Sequence, residues 1–294
     1  GTAYTFTAAP TEYQLWVWGT NQSGMLGQNQ AAAQLANISS PVQVPGVNWA
    51  TSAMGYDGQH HLATKNDGTL WGWGNGGHGQ LGHNNQTSYS SPTQVPGTTW
   101  NNVTAGEGYF SMATRTDGTL WIMGNNDQGQ LGINDINRRS SPVQIPGTWA
   151  TGDKKFNAAM YSSAAIKSDG TLWAWGKNTK GMLGQNEADS GRYGYSSPVQ
   201  IPGTTWQYIN MGSDAFLASK TDGTLWAWGN NQWGNLGHNS NTQYSSPVQV
   251  PGTNWAVVGG SGSIWNNVTK TDGTLWSWGY NGKGRMGVHT NVYK

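Results

Sequence analysis

The sequence predicts an all-β fold, a six-bladed β-propeller of four-stranded antiparallel blades. Three observations carry this. First, a unit close to Asp-Gly-Thr-Leu-Trp-x-Trp-Gly recurs, and its strand-end glycines, Gly19, Gly74, Gly124, Gly176, Gly229 and Gly279, stand 50–55 residues apart. Self-similarity at that period marks a solenoid, a propeller or an array. Second, each complete period holds about four short β-prone runs separated by Gly, Pro, Asn and Ser, the strand content of one propeller blade. Third, 44 glycines and 18 tryptophans occur in a chain with only 10% charged residues. Glycine-rich disorder goes with few aromatics, whereas these tryptophans are periodic. The 294 residues would suffice for two ordinary domains. The repeat runs from end to end without a linker, so residues 1–294 are expected to form a single propeller domain.

Residues 1–12 lack the full repeat. Tyr4-Thr5-Phe6-Thr7 alternates and is β-prone. It occupies the place that residues 111–114 and 216–219 hold in later copies, and is expected to be the inner half of a first hairpin, with residues 8–14 as its turn. The second strands of the six hairpins fall at residues 15–18, 70–73, 120–123, 172–175, 225–228 and 275–278, with Met123 replacing the second tryptophan in the third copy. Five are preceded by Asp-Gly, at Asp67, Asp117, Asp169, Asp222 and Asp272. Asp-Gly between apolar runs predicts a tight primed turn, because glycine tolerates positive φ.

A glycine loop follows each strand, as in GTNQSGMLG and GNNDQGQLG, with an asparagine at Asn21, Asn126, Asn178, Asn231 and Asn281. Asparagine visits the left-handed region cheaply, which is the role expected for it here. Next comes Ser-Ser-Pro-Val-Gln-Val-Pro-Gly or a close variant, at residues 39–46, 90–97, 140–147, 196–203 and 245–252. Proline confines a strand to a sheet edge, so this segment is expected to be a short outer strand that blunts edge-to-edge pairing. A tryptophan follows each copy (Trp49, Trp100, Trp149, Trp206, Trp255) and opens another short strand. Five such segments serve six hairpins. A closed ring therefore needs the N- and C-terminal segments to meet in one blade, and residues 288–294 are expected in the outer-strand place beside residues 4–18.

The pattern Asp-Gly-x-Leu-x-x-Trp-Gly-x-Asn-x-x-Gly-Gln-Leu-Gly followed by Pro-x-x-x-Pro, well shown by GTLWIMGNNDQGQLG at residues 118–132, resembles the regulator of chromosome condensation repeat. The resemblance covers roughly residues 13–287 and implies one blade per repeat. Familiar members have seven blades, so six is a departure. Founding members of that family act as guanine-nucleotide exchange factors on a small nuclear GTPase, and others inhibit enzymes. The uniform wording of the repeats is most similar to environmental bacterial and phage members. No basic tail and no long inserted hairpin of the exchange-factor kind occurs in this sequence.

Composition bounds the partners. A formal net charge of +1 offers no global attraction to nucleic acid. The 15 Lys and Arg are scattered and read as solvated surface. No run of about 18 apolar residues occurs, so no membrane insertion is expected. The absence of cysteine removes disulfides and thiolate metal sites. His60 and His61 are adjacent on a strand and would face opposite sides, which prevents a simple two-ligand site. The repeat aspartates read as turn formers and lack the carboxylate count for calcium. Neither a phosphate-binding loop nor a nucleophile elbow is present. No catalytic residue, metal or cofactor is expected.

Sixteen of the 18 tryptophans sit on repeat positions and read as core packing, so binding candidates come from positions the repeat does not dictate. Trp233 stands where other copies have Ser23, His78, Gln128, Lys180 and Lys283, and Trp265 where they have His60, Phe110, Ser162 and Ala215. The turns before each first hairpin strand (GYDGQHH, GEGYFS, GDKKFNAAMYSS, GSDAF, GSGSIWN) vary within an otherwise uniform chain. Every blade orients them alike, so they lie on one end of the ring, and loops on a rigid scaffold are where binding concentrates. The candidate surface is His60, Tyr109, Phe110, Phe156, Tyr161, Phe216, Trp233 and Trp265. The expected partner is a protein or glycan, in a secreted, cell-surface or virion assembly. The alternatives are a homo-oligomer or assembly subunit, and a soluble regulator of one GTPase or enzyme.

Overall fold

A computed structural model describes residues 12–30, 37–55, 59–187, 194–260, 264–282, 284 and 286–287. These residues form repeated antiparallel sheets. The first holds β1 (Trp16–Thr20) and β2 (Asn37–Gln43). The second runs β3 (Trp49–Gly55), β4 (His60–Lys65), β5 (Leu70–Gly74) and β6 (Tyr89–Val95), in that spatial order. The third repeats it with β7 (Trp100–Gly106), β8 (Phe110–Arg115), β9 (Leu120–Gly124) and β10 (Arg139–Ile145). The fourth holds β11 (Phe156–Ala158), β12 (Ser162–Ile166), β13 (Leu172–Gly176) and β14 (Tyr195–Ile201). The fifth holds β15 (Trp206–Met211), β16 (Ala215–Lys220), β17 (Leu225–Gly229) and β18 (Tyr244–Val250). The last has three described strands, β19 (Trp255–Gly260), β20 (Trp265–Lys270) and β21 (Leu275–Gly279).

The Ser-Ser-Pro strands are edge strands, as their prolines require. The opposite edges touch one another from sheet to sheet, β3 with β7, β7 with β11, β11 with β15 and β15 with β19, so they line the centre. Residues 4–7 and the tail 288–294 lie outside the described residues. One part of the closure expectation is corrected. The outer place beside β1 belongs to β2, with Trp16 opposite Gln43 and Thr20 opposite Asn37.

Two turn expectations are also corrected. The Asp-Gly turns are not two-residue primed turns. Gly68 donates its N–H to the Lys65 carbonyl at 3.0 Å and Lys65 donates to the Thr69 carbonyl at 2.9 Å. Only the glycine, φ +78°, is left-handed. This is a type I turn closed by a left-handed glycine bulge. It is pinned by Asp67 Oδ1, which accepts from the Thr69 backbone N–H and from the Thr69 hydroxyl. The other four Asp-x-Thr turns repeat this pinning.

The recurring loop asparagine does not supply a left-handed residue either; Asn21 sits at φ −111° and Asn178 at φ −101°. It is a buried brace. Its Oδ1 accepts the backbone N–H five residues on, at Leu26, Leu131, Leu183, Leu236 and Met286, over 2.9–3.0 Å. A buried amide that satisfies loop backbone explains its recurrence better than torsional tolerance.

The core lies between neighbouring sheets. Along the third strand Leu and Trp point to opposite faces. Leu70 packs with Trp100, Leu120 with Trp149, Leu172 with Trp206 and Leu225 with Trp255. Trp100, Trp206 and Trp255 open the following sheet, whereas Trp149, expected to open a strand, lies ahead of β11 in an isolated bridge to Lys167. On the other face the second tryptophan reaches back. The indole N–H of Trp73 donates to the Met25 carbonyl, Trp175 to Gln130, Trp228 to Met182 and Trp278 to Asn235, over 2.8–2.9 Å. Gly27, Gly132, Gly184 and Gly237, each following a leucine, pack directly on those four indoles. A Cβ on Gly132 would come within 2.6 Å of Trp175, so only glycine fits there.

Candidate interaction surface

In an antiparallel hairpin the start of the second strand and the end of the third lie at the same end. The turns before β4, β8, β12 and β16 therefore share one end of the molecule with the glycine loops. Loop and turn pair across sheet junctions there. Ser23 Oγ lies 3.2 Å from Gln59 Oε1, and Gln59 Nε2 donates to Gln22 Oε1 at 2.8 Å. His78 stacks on Tyr109 with ring centroids 4.5 Å apart and a 23° interplanar angle. Trp233 meets Tyr280 at 5.1 Å, and within the fourth sheet Lys177 Nζ lies 5.6 Å from the Tyr161 ring.

Tyr109 adopts φ +61° and Gln59 φ +48°. A bulky residue in the left-handed region costs about 1–2 kcal/mol relative to a relaxed backbone. At Tyr109 the turn is held by its carbonyl, which accepts the Asn125 N–H at 2.9 Å. Glu107, at the tip of the same turn, accepts from Ser213 Oγ at 3.3 Å. That bond joins the third and fifth sheets and places the tips around the central axis. A cavity of about 800 Å³ opens there, lined among others by Trp16, Trp18, Met54, Glu107, Tyr109 and Tyr161.

The sequence candidates divide. Tyr109, Tyr161, Trp233 and Trp265 are half-buried and carry surface at this end or on the strand that leads from it. His60, Phe110, Phe156 and Phe216 are core residues, which corrects the expectation that they form a binding face. His60 is fully buried with Nε2 2.8 Å from Ser111 Oγ. Phe216 stacks on Trp228 at 4.4 Å, and Phe110 and Phe156 share one cluster with Trp149 and Trp175. The strand alternation places them inward, a direction that turn composition alone does not reveal. His60 and His61 do diverge as expected. His61 is buried against Trp73 and donates through Nδ1 to the Met25 carbonyl at 2.7 Å. Burial pushes its imidazole down to about 4, with the Met25 bond opposing in part, so it is neutral at pH 7.

Sequence reasoning missed Trp16, Trp18, Met54 and Glu107. The two tryptophans sit on repeat positions and read as core, but they are 47% and 63% exposed. It also missed a use for the cations. Lys65 Nζ lies 4.7 and 4.6 Å from the Trp49 and Trp71 rings. Arg115, Lys167, Lys220 and Lys270 repeat this between their own tryptophan pairs. These five are cation–π fillings at a repeat position, not scattered solvated charges. Their fixed place two residues before each Asp was the available signal.

The model of the regulator of chromosome condensation (RCC1) repeat matches residues 67–113, 117–152, 169–218 and 222–262, more than half of the chain. The chain is 35% identical over 75 residues to the X-linked retinitis pigmentosa GTPase regulator homolog of Caenorhabditis elegans, which covers 26% of this chain and 5% of that protein. It therefore spans only a small part of that relative's length. Among solved structures, human WBSCR16 superposes with a TM-score of 0.77 at 21% identity, over 97% of this chain and 78% of the other. Prp20p from Saccharomyces cerevisiae, described for its binding to Gsp1p and histones, gives 0.72 at 19% identity over 92% and 67%. At these identities the two structures establish likeness of fold.

Proposed function

From the premise that the chain belongs to the RCC1 repeat family, we propose that it is a six-bladed, non-catalytic β-propeller that holds a protein partner on the end bearing the glycine loops. The observation that carries this reading is the set of half-buried aromatics on that end, Tyr109, Tyr161 and Trp233, each braced by a neighbour and placed on backbone fixed by hydrogen bonds. Rigid aromatic side chains provide contact area at low entropic cost, and they dominate binding energy at interfaces. Low charge, the absence of cysteine and the rigid β architecture motivate an extracellular, cell-surface or virion setting.

A second reading is a soluble regulator of a single GTPase or enzyme. The description of the nematode relative as a GTPase regulator homolog, and of Prp20p as binding Gsp1p, supports it. Both readings place the partner on the same end. The test compares wild type with the triple variant Tyr109→Gly, Tyr161→Ser, Trp233→Ser in affinity capture from the source cells and on a glycan array. The proposal expects one protein whose retention falls at least tenfold in the variant while the melting temperature moves by only a few degrees. An identical set of captured proteins, or retention of a glycan instead, overturns it. Accelerated nucleotide release from a captured GTPase would select the second reading.

A further inference from the structure

The ends of the innermost strands bring methionines to the central axis. Met54 lies opposite His61 and Met211 opposite Phe216. His61 and Phe216 in turn lie opposite Trp73 and Trp228, so the two methionines hold the same register place in the second and fifth sheets. In the third and fourth sheets that place belongs to Ala105, opposite Ser111, and Ala158, opposite Ser163. These small side chains leave room at the axis. A third methionine, Met160, enters from the turn after β11. Glycine sets its approach: a Cβ on Gly108 would overlap the Met160 carbonyl, and one on Gly106 would come within 2.7 Å of the Ala159 carbonyl. Only backbone without a Cβ lets the two turns close on each other.

Met54, Met160 and Met211 line one cavity of about 120 Å³, together with Glu107 and Ser213. The bond from Ser213 Oγ to Glu107 ties the sheets on either side of the one that carries Met160. Three of the eight methionines of the chain thus meet from three different sheets. A methionine that only fills a gap is enclosed by apolar neighbours, whereas a carboxylate and a hydroxyl share this cavity. Among the described residues no cationic side chain lines it.

Thioether sulfur is a neutral, polarizable ligand that selects soft cations such as Cu(I). The metal sites that the sequence excludes are those of thiolate, imidazole and carboxylate. Among the described residues no group of three His, Asp or Glu could hold an ion either. A thioether set lies outside both exclusions. The unbranched methionine side chain, with three rotatable bonds, can turn its sulfur onto a common centre with little strain. Neutral ligands leave the charge of the ion uncompensated, and the Glu107 carboxylate beside them offsets it.

We propose that Met54, Met160 and Met211 form a binding site for one Cu(I) ion on the axis of the molecule. The site stands whether or not a protein docks on the same end. The test uses the full chain labelled with carbon-13 at the methionine methyl groups, with Ag(I) as a redox-inert probe. Single Met→Leu variants assign the signals, and leucine is close enough to methionine in volume to retain the fold. Three of the eight methyl signals, those of Met54, Met160 and Met211, should shift together and saturate at one equivalent. Cu(I) under reducing conditions, in competition with bathocuproine disulfonate, should bind at least about tenfold more weakly to Met160→Leu, since disturbing even an outer partner of a metal ligand costs about 10–100-fold. Zn(II), which takes nitrogen, oxygen and thiolate ligands, should move none of the three signals. Three outcomes overturn the proposal: methyl shifts confined to other methionines, a Cu(I) affinity unchanged when all three residues are leucine, and Zn(II) acting on the same three methyl groups as strongly as Ag(I). The wild-type titrations decide the first and third, so a variant that fails to fold does not shield the proposal.

Discussion

The fifth and last sheets have nearly the same third strand, Leu-Trp-Ala-Trp-Gly at residues 225–229 and Leu-Trp-Ser-Trp-Gly at residues 275–279. Leu225 has no accessible surface, yet Leu275 is mostly exposed. The same contrast holds on the opposite face. Trp73, Trp175 and Trp228 are fully buried, whereas Trp18 in the first sheet is open. A strand motif therefore decides local conformation and which way a side chain points, and the adjoining sheet decides whether that side chain is buried. Stability in such an array is close to a sum of sheet terms and nearest-neighbour junction terms. The described interior sheets have a junction on each side. The first and last sheets each leave one tryptophan- or leucine-bearing face to water.

The sharpest way to break this comparison is to truncate equivalent tryptophans. Trp228→Ala removes a buried indole, its stack on Phe216 and its bond to the Met182 carbonyl, and should cost about 3–5 kcal/mol in urea denaturation. Trp18→Ala should cost less than about 1 kcal/mol, the range of a surface substitution. Equal losses would mean that Trp18 is covered in solution.

A smaller effect comes from acid. His61 sits in the first junction, its proton committed to the Met25 carbonyl. Its folded value of about 4 lies below the ordinary histidine value of 6.5. The unfolded chain therefore takes up a proton before the folded one does. The stabilisation is fully present above pH 6.5 and is lost as pH falls from 6.5 to about 4, on the order of 3 kcal/mol at most. Denaturation of wild type and His61→Phe between pH 7.5 and 4 should show a flatter dependence in the variant. Parallel curves would place the acid sensitivity elsewhere, with half-buried His83 and His238 next in line.

Repeat architecture was legible in the sequence because strand alternation, Asp-Gly turns and Ser-Ser-Pro edges are local signals that depend on spacing alone. The roles of the loop asparagines and the five clasped cations were not. Asn126 braces Leu131 and Lys65 fills a gap between Trp49 and Trp71, and each depends on a partner that spacing does not reveal. The candidate site was half legible. Turn composition located the end of the molecule that carries Tyr109 and Tyr161, but Phe110, one residue after Tyr109, faces the opposite way into the core. Trp18 was misread for the converse reason, since its motif is that of a core residue and no neighbour among the described residues buries it.

The smallest effect separates what belongs to one sheet from what passes between sheets. Asp222 accepts from the Thr224 N–H and hydroxyl at 2.9 and 2.7 Å, and the Thr224 hydroxyl accepts the Trp226 indole N–H at 3.0 Å. Asp272, Thr274 and Trp276 repeat this at 2.9, 2.7 and 3.1 Å. In both turns the threonine hydroxyl, then its backbone N–H, holds the carboxyl below the ordinary aspartate range. As a relay within one hairpin it should be worth the same in either sheet. The following glycines differ: the Gly223 carbonyl accepts the Trp255 N–H of the next sheet at 3.0 Å, and a Cβ there would touch Asn254, whereas a Cβ on Gly273 would meet nothing within 4 Å. Asp222→Asn and Asp272→Asn keep the acceptor oxygen and lose the charge, so each should lower the melting temperature by about 1–2 °C and by the same amount. A clearly larger loss for Asp222→Asn would show that the turn passes its strain through Gly223 into the junction, and the sheet and junction terms would no longer be separable.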